Sequence, residues 1–237
     1  MRFEKKAESY HRNALPQTTL ANWLAEWLPA RVDGKLSVVD MGAGTGILTR
    51  HLLPLGTVEA IDTSPSMLEA GHHHFPQARW TLADAWTASG SWDLVCSSSL
   101  LQWAPDPVAV LSHWRKSLRP HGRMIHGFFV EPSLPELAHL AGDIFPLSWR
   151  SPQAWIGAFE QAGFHVIRQD RLTETIPFGS ARAFLRHLHD TGTTHEDPQL
   201  SPVQLRRILQ AYDEQFALPA GGVRSTWTLM RIEAAHF

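Results

Sequence analysis

The sequence of 237 residues is poor in cysteine and tyrosine and has no long hydrophobic run. Its single cysteine, Cys96, excludes an intrachain disulfide and a zinc site built from several cysteines. No apolar stretch approaches the roughly 18 residues that a membrane helix needs, and the N-terminal segment MRFEKKAESYHRN lacks the apolar region of a signal peptide. We therefore expect a soluble, cytoplasmic protein without a membrane partner.

A strong excess of charge of one sign is also absent. The chain has 21 Lys and Arg against 23 Asp and Glu, which gives a formal net charge of −2. Proteins that bind nucleic acid usually carry a marked basic excess, so we do not expect nucleic acid as a partner. Hydrophobic residues make up 43% of the chain, as in ordinary globular proteins. The composition gives no reason for its 10 Trp and 14 His.

Hydrophobic periodicity predicts strands that alternate with helices. Seven segments have the length and composition of strands: 36–40, 58–61, 79–83, 93–96, 123–130, 165–176 and 226–232. Helices are predicted between them, from the glycine turn after the first strand to about Leu53, and at 108–118, 154–162, 181–189 and 202–216. Strands that alternate with helices form parallel sheets with helices on both faces. The pattern therefore predicts an α/β fold.

We predict a single domain over residues 1–237, because no repeat, linker or low-complexity tract divides the chain. Residues 1–34 form an N-terminal helical cap, and residues 35–130 form the half of the core that binds a cofactor. The alternation of strands and helices is interrupted twice, at 131–150 and 179–222. We expect these two insertions to cover the ligand site, as a lid and as the part that binds the substrate.

The most informative segment is a glycine-rich turn after the first predicted strand. It reads DMGAGTG, with Asp40 at the end of the strand and glycines at 42, 44 and 46. Glycines at this place let a ligand approach the backbone near the positive end of the next helix. A dinucleotide-binding turn needs a small residue where Ile47 stands. Asp40 would repel a pyrophosphate but suits a cationic ligand, such as the ammonium and sulfonium of S-adenosylmethionine.

Two further acidic residues follow the next predicted strands. Asp62 lies 20 residues after Gly42, where a carboxylate can accept hydrogen bonds from ribose hydroxyls. Asp84 follows the third strand, where a carboxylate can accept a hydrogen bond from an adenine amino group. Because parallel strands end at the same edge of a sheet, we expect Asp40, Asp62 and Asp84 to border one crevice.

With these motifs, the sequence resembles the class I S-adenosylmethionine-dependent methyltransferases. DMGAGTG, EAIDTSPSML, LADAW and DLVCSSSLLQWAPDP match their successive motifs. The resemblance implies a Rossmann-like sheet of seven strands, mostly parallel with the last strand antiparallel, and S-adenosyl-L-methionine as cofactor. It also implies roles for nine residues: the methionine end at Asp40, Gly42, Gly44 and Gly46, the ribose at Asp62, the adenine at Met67, Asp84 and Ala85, and a further cofactor contact at Ser97.

Segments outside this core indicate the methyl acceptor. FEKKAESYHRNALPQ, VEPSLPELAHL and SARAFLRHLHDTGTTHED resemble the malonyl-acyl carrier protein O-methyltransferases of biotin synthesis. This resemblance implies methylation of the free carboxylate of malonyl-acyl carrier protein. The crevice segment SSSLLQW contains no Asp, Glu, Lys or His, which also favours a carboxylate acceptor, since a carboxylate is ionised at pH 7 without a base. The alternatives are a free polycarboxylic acid such as trans-aconitate, and a cofactor-binding protein without turnover.

Four residues are the candidates for the acceptor side of the site. By resemblance, Tyr10 covers the methyl group, and Gln102 and Trp103 line the acceptor pocket. A tyrosine ring can stabilise a sulfonium by a cation–π contact. Arg186 is our candidate for binding the acceptor carboxylate, because a guanidinium binds a carboxylate through two hydrogen bonds. The pair Arg206-Arg207 is a candidate contact for an acidic carrier protein.

Overall fold

The structure is a computed structural model that describes residues 14–29, 35–142, 149–191, 193 and 200–236. Seven strands form one sheet. They are β1 (Leu36–Met41), β2 (Gly56–Asp62), β3 (Arg79–Leu82), β4 (Trp92–Ser98), β5 (Leu118–Phe129), β6 (His165–Phe178) and β7 (Val223–Ala235). Their order across the sheet is β3-β2-β1-β4-β5-β7-β6.

Helices connect most of these strands. In chain order the α-helices are α1 (Leu15–Ala25), α2 (Thr49–Leu52), α3 (Pro65–His74), α4 (Pro107–Arg115), α5 (Pro135–Ala141), α6 (Pro152–Gln161), α7 (Ala181–Asp190) and α8 (Pro202–Gln215). Two short 3-10 turns lie at Leu53–Leu55 and Leu101–Trp103. No helix of the described residues is long and apolar enough to cross a membrane.

The strand directions confirm the predicted fold class. Strands β1 to β5 pair in parallel, so the carboxyl ends of β1, β2, β3 and β4 lie side by side. Strand β7 is inserted between β5 and β6 and runs antiparallel to both. The sheet is therefore seven-stranded and mostly parallel, with the last strand of the chain antiparallel, as the family resemblance implies.

Helices cover both faces of the sheet, and apolar side chains fill the space between them. One cluster lies under α4 and α6 and includes Trp114 and Trp155. A second lies between the sheet and the helices α1 and α2, and it contains Cys96, which is a buried free thiol. A third joins α5, α7 and α8 to the end of β5 and to β7 around Trp227. This third cluster fixes the helices of both predicted insertions to the far half of the sheet.

The boundaries differ from the predictions mainly after the glycine turn. The sequence predicts one helix from the turn to about Leu53, whereas the structure has a single α-helical turn in α2 followed by the 3-10 turn Leu53–Leu55. Pro54 explains the change, because it lacks the N–H that would continue the α-helical hydrogen bonds. Within the predicted cap, the described helix α1 covers Leu15–Ala25.

Candidate functional site

The site is built around the glycine turn at the carboxyl end of β1. Gly42, Gly44 and Gly46 all have positive φ, between 55° and 90°. A Cβ atom at Gly42 would lie 2.7 Å from Cδ1 of Leu100, so a side chain there would collide with the segment after β4. A Cβ atom at Gly44 would meet no atom within 4 Å. The backbone of Gly44 therefore faces open space, where a ligand can approach it closely.

Asp40 lies beneath this turn, with only 1% of its surface exposed. Its Oδ2 accepts a hydrogen bond from the hydroxyl of Thr49 at 2.6 Å. Burial raises the pKa of Asp40 to about 7, although the Thr49 hydrogen bond opposes the shift and the negative charge of Asp62 reinforces it. A cationic group bound above the turn would stabilise the ionised form. Asp40 is thus suited to a ligand that carries a positive charge.

Asp62 ends β2 and supports the turn from the neighbouring strand. Its Oδ2 accepts a hydrogen bond from the backbone N–H of Gly44 at 2.9 Å, and its Oδ1 accepts one from Ser64 at 2.8 Å. Each carboxylate oxygen can accept more than one hydrogen bond, so hydroxyl groups of a ligand can still bind here. The side chain is only partly buried, which leaves it open to such a ligand.

The next two residues predicted for the adenine follow β3. The exposed Asp84 accepts a hydrogen bond from the backbone N–H of Trp86 at 2.9 Å through Oδ1. Ala85 is buried, and its carbonyl accepts a hydrogen bond from Nε1 of Trp114 at 2.7 Å. The core tryptophan therefore fixes the loop that presents Asp84. Met67 is partly buried in the first turn of α3, the helix that follows the carboxyl end of β2.

Ser97 has a different environment from the one that the sequence suggests. It is fully buried, and its Oγ lies 2.8 Å from Nδ1 of His126, its neighbour on β5. Burial lowers the pKa of His126 to about 3, so the ring stays neutral. Because side chains alternate along a strand, the residue after Ser97 faces the opposite side of the sheet. Ser98 and Ser99, and not Ser97, line the cavity beside the glycine turn.

This cavity contains an unusual set of polar groups. It is lined by Gln17, Asp40, Gly42, Ala43, Gly44, Thr45, Ile47, Leu48, Ser98 and Ser99. Among the described residues, buried Oε1 of Gln17 and the buried hydroxyl oxygens of Ser98 and Ser99 have no hydrogen-bond partner. Buried polar atoms usually have partners, so this set indicates a polar ligand. Together with buried Asp40, it fits the zwitterionic methionine end of S-adenosylmethionine. No motif or spacing in the sequence indicated that Gln17 belongs to the site.

An aromatic wall, formed by Trp103, Trp149 and Phe129, lies at the end of β5 and in the segment after β4. Gln102 is buried and donates from Nε2 to the carbonyl of Ser99 at 2.9 Å, while its Oε1 has no partner in the described part of the chain. The ring of Trp103 lies 5.7 Å from that of Trp149, which in turn lies 6.1 Å from that of Phe129. The structure therefore brings the two predicted acceptor residues, Gln102 and Trp103, to the same edge of the sheet as the glycine turn.

The other two candidates of the acceptor side are not placed at the cavity. Arg186 lies exposed on α7 and is not among the residues that line the cavity, so its contact with an acceptor carboxylate stays a prediction. Tyr10 lies outside the described residues, and its role also stays a prediction. The three histidines at positions 72–74 are exposed in the last turn of α3, and none of them lines the cavity.

A family model described as a methyltransferase domain matches residues 7–169, more than half of the chain. The chain therefore belongs to the methyltransferase family, and it shares its fold with methyltransferases that were solved with S-adenosylmethionine or S-adenosyl-L-homocysteine.

The chain is also similar to individual methyltransferases of known acceptor or known structure. The malonyl-[acyl-carrier protein] O-methyltransferase of Halorhodospira halophila is 30% identical over 253 residues, covering 96% of this chain and 83% of the relative. The trans-aconitate 2-methyltransferase of Deinococcus radiodurans is 36% identical over 119 residues, which cover 48% of this chain and 45% of the relative. The fold matches geranyl diphosphate C-methyltransferase of Streptomyces coelicolor A3(2), solved with S-adenosyl-L-homocysteine, with a TM-score of 0.57 at 13% identity, covering 92% and 76% of the two chains.

Proposed function

We propose that the protein transfers a methyl group from S-adenosylmethionine to the free carboxylate of malonyl-acyl carrier protein. The product would be the malonyl methyl ester that primes pimeloyl and hence biotin synthesis. The similarity to the Halorhodospira halophila relative supports this choice, since it extends over 96% of the chain and includes the segments outside the cofactor-binding half.

The observation that carries the proposal is that the described residues on the acceptor side of the site provide no base. Of the two described residues that we place on that side, Gln102 is a neutral amide and Trp103 carries no basic group, and Ser98 and Ser99 of the neighbouring cavity are also neutral. Asp40 is held by Thr49 beneath the glycine turn, and His126 is buried behind Ser97. A hydroxyl or amine acceptor often needs such a base, whereas a carboxylate is ionised at pH 7.

In this proposal the protein acts by positioning and by excluding water. When bound, S-adenosylmethionine supplies an electrophilic methyl group on a sulfonium. Asp40 and the turn Gly42–Gly46 hold the methionine end, Asp62 binds the ribose, and Met67, Asp84 and Ala85 border the adenine. Gln102 and Trp103 orient the acceptor in line with the methyl group, and the aromatic wall keeps water away from the two reacting charges.

A parallel assay with labelled methyl groups tests the proposal. The acceptors are malonyl-acyl carrier protein, malonyl-CoA and trans-aconitate, with acetyl-acyl carrier protein as the control that has no free carboxylate. We expect base-labile label on the malonyl carrier protein and none on the acetyl form. Absence of label from the malonyl carrier protein would contradict the proposal.

A free polycarboxylic acid is the second candidate acceptor. The similarity to trans-aconitate 2-methyltransferase favours it, but that similarity covers 48% of the chain. In the same assay, label on trans-aconitate alone would support this candidate. Binding of S-adenosyl-L-homocysteine without label on any acceptor would instead indicate a cofactor-binding protein without turnover.

A further inference from the structure

Arg150 is a partly buried arginine whose charge has no counter-ion among the described residues. Three arginines of these residues are buried or partly buried. Arg231 forms ion pairs with two carboxylates, and Arg50 hydrogen-bonds to Asn22. Within the described part of the chain, the guanidinium of Arg150 has neither an ion pair nor a hydrogen bond. A cation that is withdrawn from water normally keeps such partners, so Arg150 is suited to an anionic ligand.

The ring of Trp155 supports this guanidinium without using its donors. Cζ of Arg150 lies 5.6 Å from the ring centroid of Trp155. Trp155 is fully buried in helix α6 and packs against Phe128, with ring centroids 4.6 Å apart. A ring face stabilises a positive charge, but it leaves the five N–H donors of the guanidinium available for an anion. The core therefore fixes the position of this charge.

The backbone places Arg150 at the edge of the sheet that carries the site. Its carbonyl accepts a hydrogen bond at 3.2 Å from the N–H of Glu131, two residues after the end of β5. The preceding residue, Trp149, lies against Trp103 and Phe129 in the aromatic wall. Because β5 runs parallel to β4 and β1, this is also the edge at which the glycine turn lies. Arg150 therefore directly follows a residue that contacts the acceptor side.

Trp149 provides a second donor without a partner. Its Nε1 is buried, and no residue of the described chain accepts a hydrogen bond from it. An indole N–H can only donate. Two adjacent residues at this edge thus both lack an acceptor oxygen, which a carboxylate ligand supplies.

We infer that Arg150 binds the carboxylate of the methyl acceptor and selects acceptors that carry one. The inference rests on the proposed function and names a residue that recognises its acceptor. A guanidinium offers paired N–H donors that match the two oxygens of a carboxylate. Arg186 is exposed on α7, whereas Arg150 is partly buried, where water screens a charge pair less. An arginine stays protonated at pH 7, so Arg150 adds no base to the acceptor side.

Two thioesters that differ only in the carboxylate test the inference. They are malonyl-CoA and acetyl-CoA, which carry the same phosphates, so that a contact with phosphate would affect both. The variant Arg150→Met keeps a long side chain against the ring of Trp155 and removes the charge, whereas Arg150→Lys keeps the charge. The control is Arg115→Met, which removes an exposed positive charge at the end of α4, on the same face of the sheet as α6.

Calorimetric titration of the full chain, saturated with S-adenosyl-L-homocysteine so that no methyl transfer occurs, measures both affinities. We expect Arg150→Met to weaken malonyl-CoA about tenfold, as for loss of hydrogen bonds to a charged group. Its affinity for acetyl-CoA should stay within about twofold. Arg150→Lys should weaken malonyl-CoA about threefold, because an ammonium keeps the charge without the paired donors. Arg115→Met should leave both affinities unchanged, and all variants should bind S-adenosyl-L-homocysteine like the wild type.

Two outcomes would overturn the inference alone. An unchanged affinity of Arg150→Met for malonyl-CoA would remove Arg150 from the acceptor site. Equal weakening of both thioesters would assign Arg150 to a phosphate or to the general shape of the site, and not to the carboxylate. Either result, combined with label on the malonyl carrier protein in the methyl-transfer assay, leaves the proposed function standing. Absence of that label with the wild-type protein would refute the proposed function, and the inference with it.

Discussion

At the scale of single residues, Asp40 is held where its own charge is costly. It is buried beneath the glycine turn, next to the negative charge of Asp62, and its pKa rises to about 7. The usual pKa of an aspartic acid is near 3.8. Such a position is tolerated when the ionised form gains a partner on ligand binding, and the ammonium of the cofactor is a suitable partner.

This pKa predicts that cofactor affinity depends on pH. Asp40 is ionised above pH 7 and becomes protonated below it, so attraction to the ammonium is lost as the pH falls. We expect the dissociation constant of S-adenosyl-L-homocysteine to rise up to about tenfold between pH 8 and pH 6. Asp40→Asn should bind more weakly at pH 8 and show no such dependence. A wild-type affinity that is flat over this range would exclude Asp40 from the binding site.

The same shift has the opposite effect on the stability of the apo protein. The folded state binds this proton more tightly than the unfolded state, so the stabilising effect is present below about pH 4 and is lost as the pH rises to about 7. In urea unfolding at pH 8, Asp40→Asn should therefore be more stable than the wild type, by up to about 4 kcal/mol. If Asp40→Asn binds the cofactor product more weakly and yet unfolds at higher urea, Asp40 serves binding and not folding.

At the scale of elements, two arginines hold helix α1 on the sheet. The guanidinium of Arg231 on β7 lies 4.1 Å from the ring centroid of Trp23 and 4.3 Å from that of Trp27. It also donates to the carbonyl of Trp23 and to Oε2 of Glu26. The second arginine is Arg168 on β6, whose guanidinium carbon lies 4.3 Å from the ring centroid of Trp27. These contacts give two of the ten tryptophans a structural role.

Loss of the Arg231 contacts should loosen the helix that carries Gln17. We expect Arg231→Met to lower the free energy of unfolding by about 2–3 kcal/mol, since two cation–π contacts and several hydrogen bonds are lost. The free energy of unfolding of Arg231→Lys should lie between those of the wild type and Arg231→Met, because an ammonium keeps the charge but cannot stack on a ring as a planar guanidinium does. Urea unfolding and the affinity for S-adenosyl-L-homocysteine are the measurements, and affinity should fall with stability.

The matched control is Arg171→Met, a change at an exposed arginine on the neighbouring strand β6. It should leave both measured values unchanged. If Arg231→Met were as stable as this control, the anchoring of helix α1 by Arg231 would be refuted.

At the scale of the whole molecule, helix α8 of the second insertion offers an exposed surface. The first turns of α8 are exposed and carry Arg206 and Arg207 next to two apolar residues, Val203 and Leu205, which are 63% and 37% exposed. Apolar side chains rimmed by basic ones suit an acidic protein partner. The net charge of −2 is a sum over the whole chain, so it does not indicate this local basic surface.

Charge reversal on α8 should weaken the use of malonyl-acyl carrier protein as an acceptor but not the use of malonyl-CoA. We expect Arg206→Glu with Arg207→Glu to raise the KM for malonyl-acyl carrier protein about five- to tenfold, with little change in kcat or in the KM for malonyl-CoA. The control reverses Lys116 and Arg119, of which Arg119 already pairs with Asp93 at 2.9 Å. An equal effect of the two double variants would show that general charge, and not the α8 surface, matters.

The strands and the cofactor motif could be predicted from the sequence because both are local patterns. Strands such as β1 and β4 are short apolar runs and β6 alternates apolar with polar residues, whereas β3 (RWTL) is only weakly marked. The spacing of Gly42 to Asp62 is fixed by one strand–helix–strand unit. The environments of two residues, Gln17 and Ser97, depend on contacts between distant segments, and the cofactor contact of Ser97 stays a prediction. Gln17 reads as an ordinary helix residue until α1 lies on the sheet, and Ser97 cannot be told from Ser98 until the strand faces are known.

By itself, the sequence determined the fold class and, through its family resemblance, the cofactor, because strand length, glycine placement and residue spacing carry this information over short stretches of chain. The tertiary structure alone decided which polar groups are buried without a partner. It brings the first turn of α1 and the end of β4 to the same cavity as Asp40, and desolvation in that cavity raises the pKa of Asp40. Desolvation depends on every neighbouring segment, so no local pattern in the sequence encodes it.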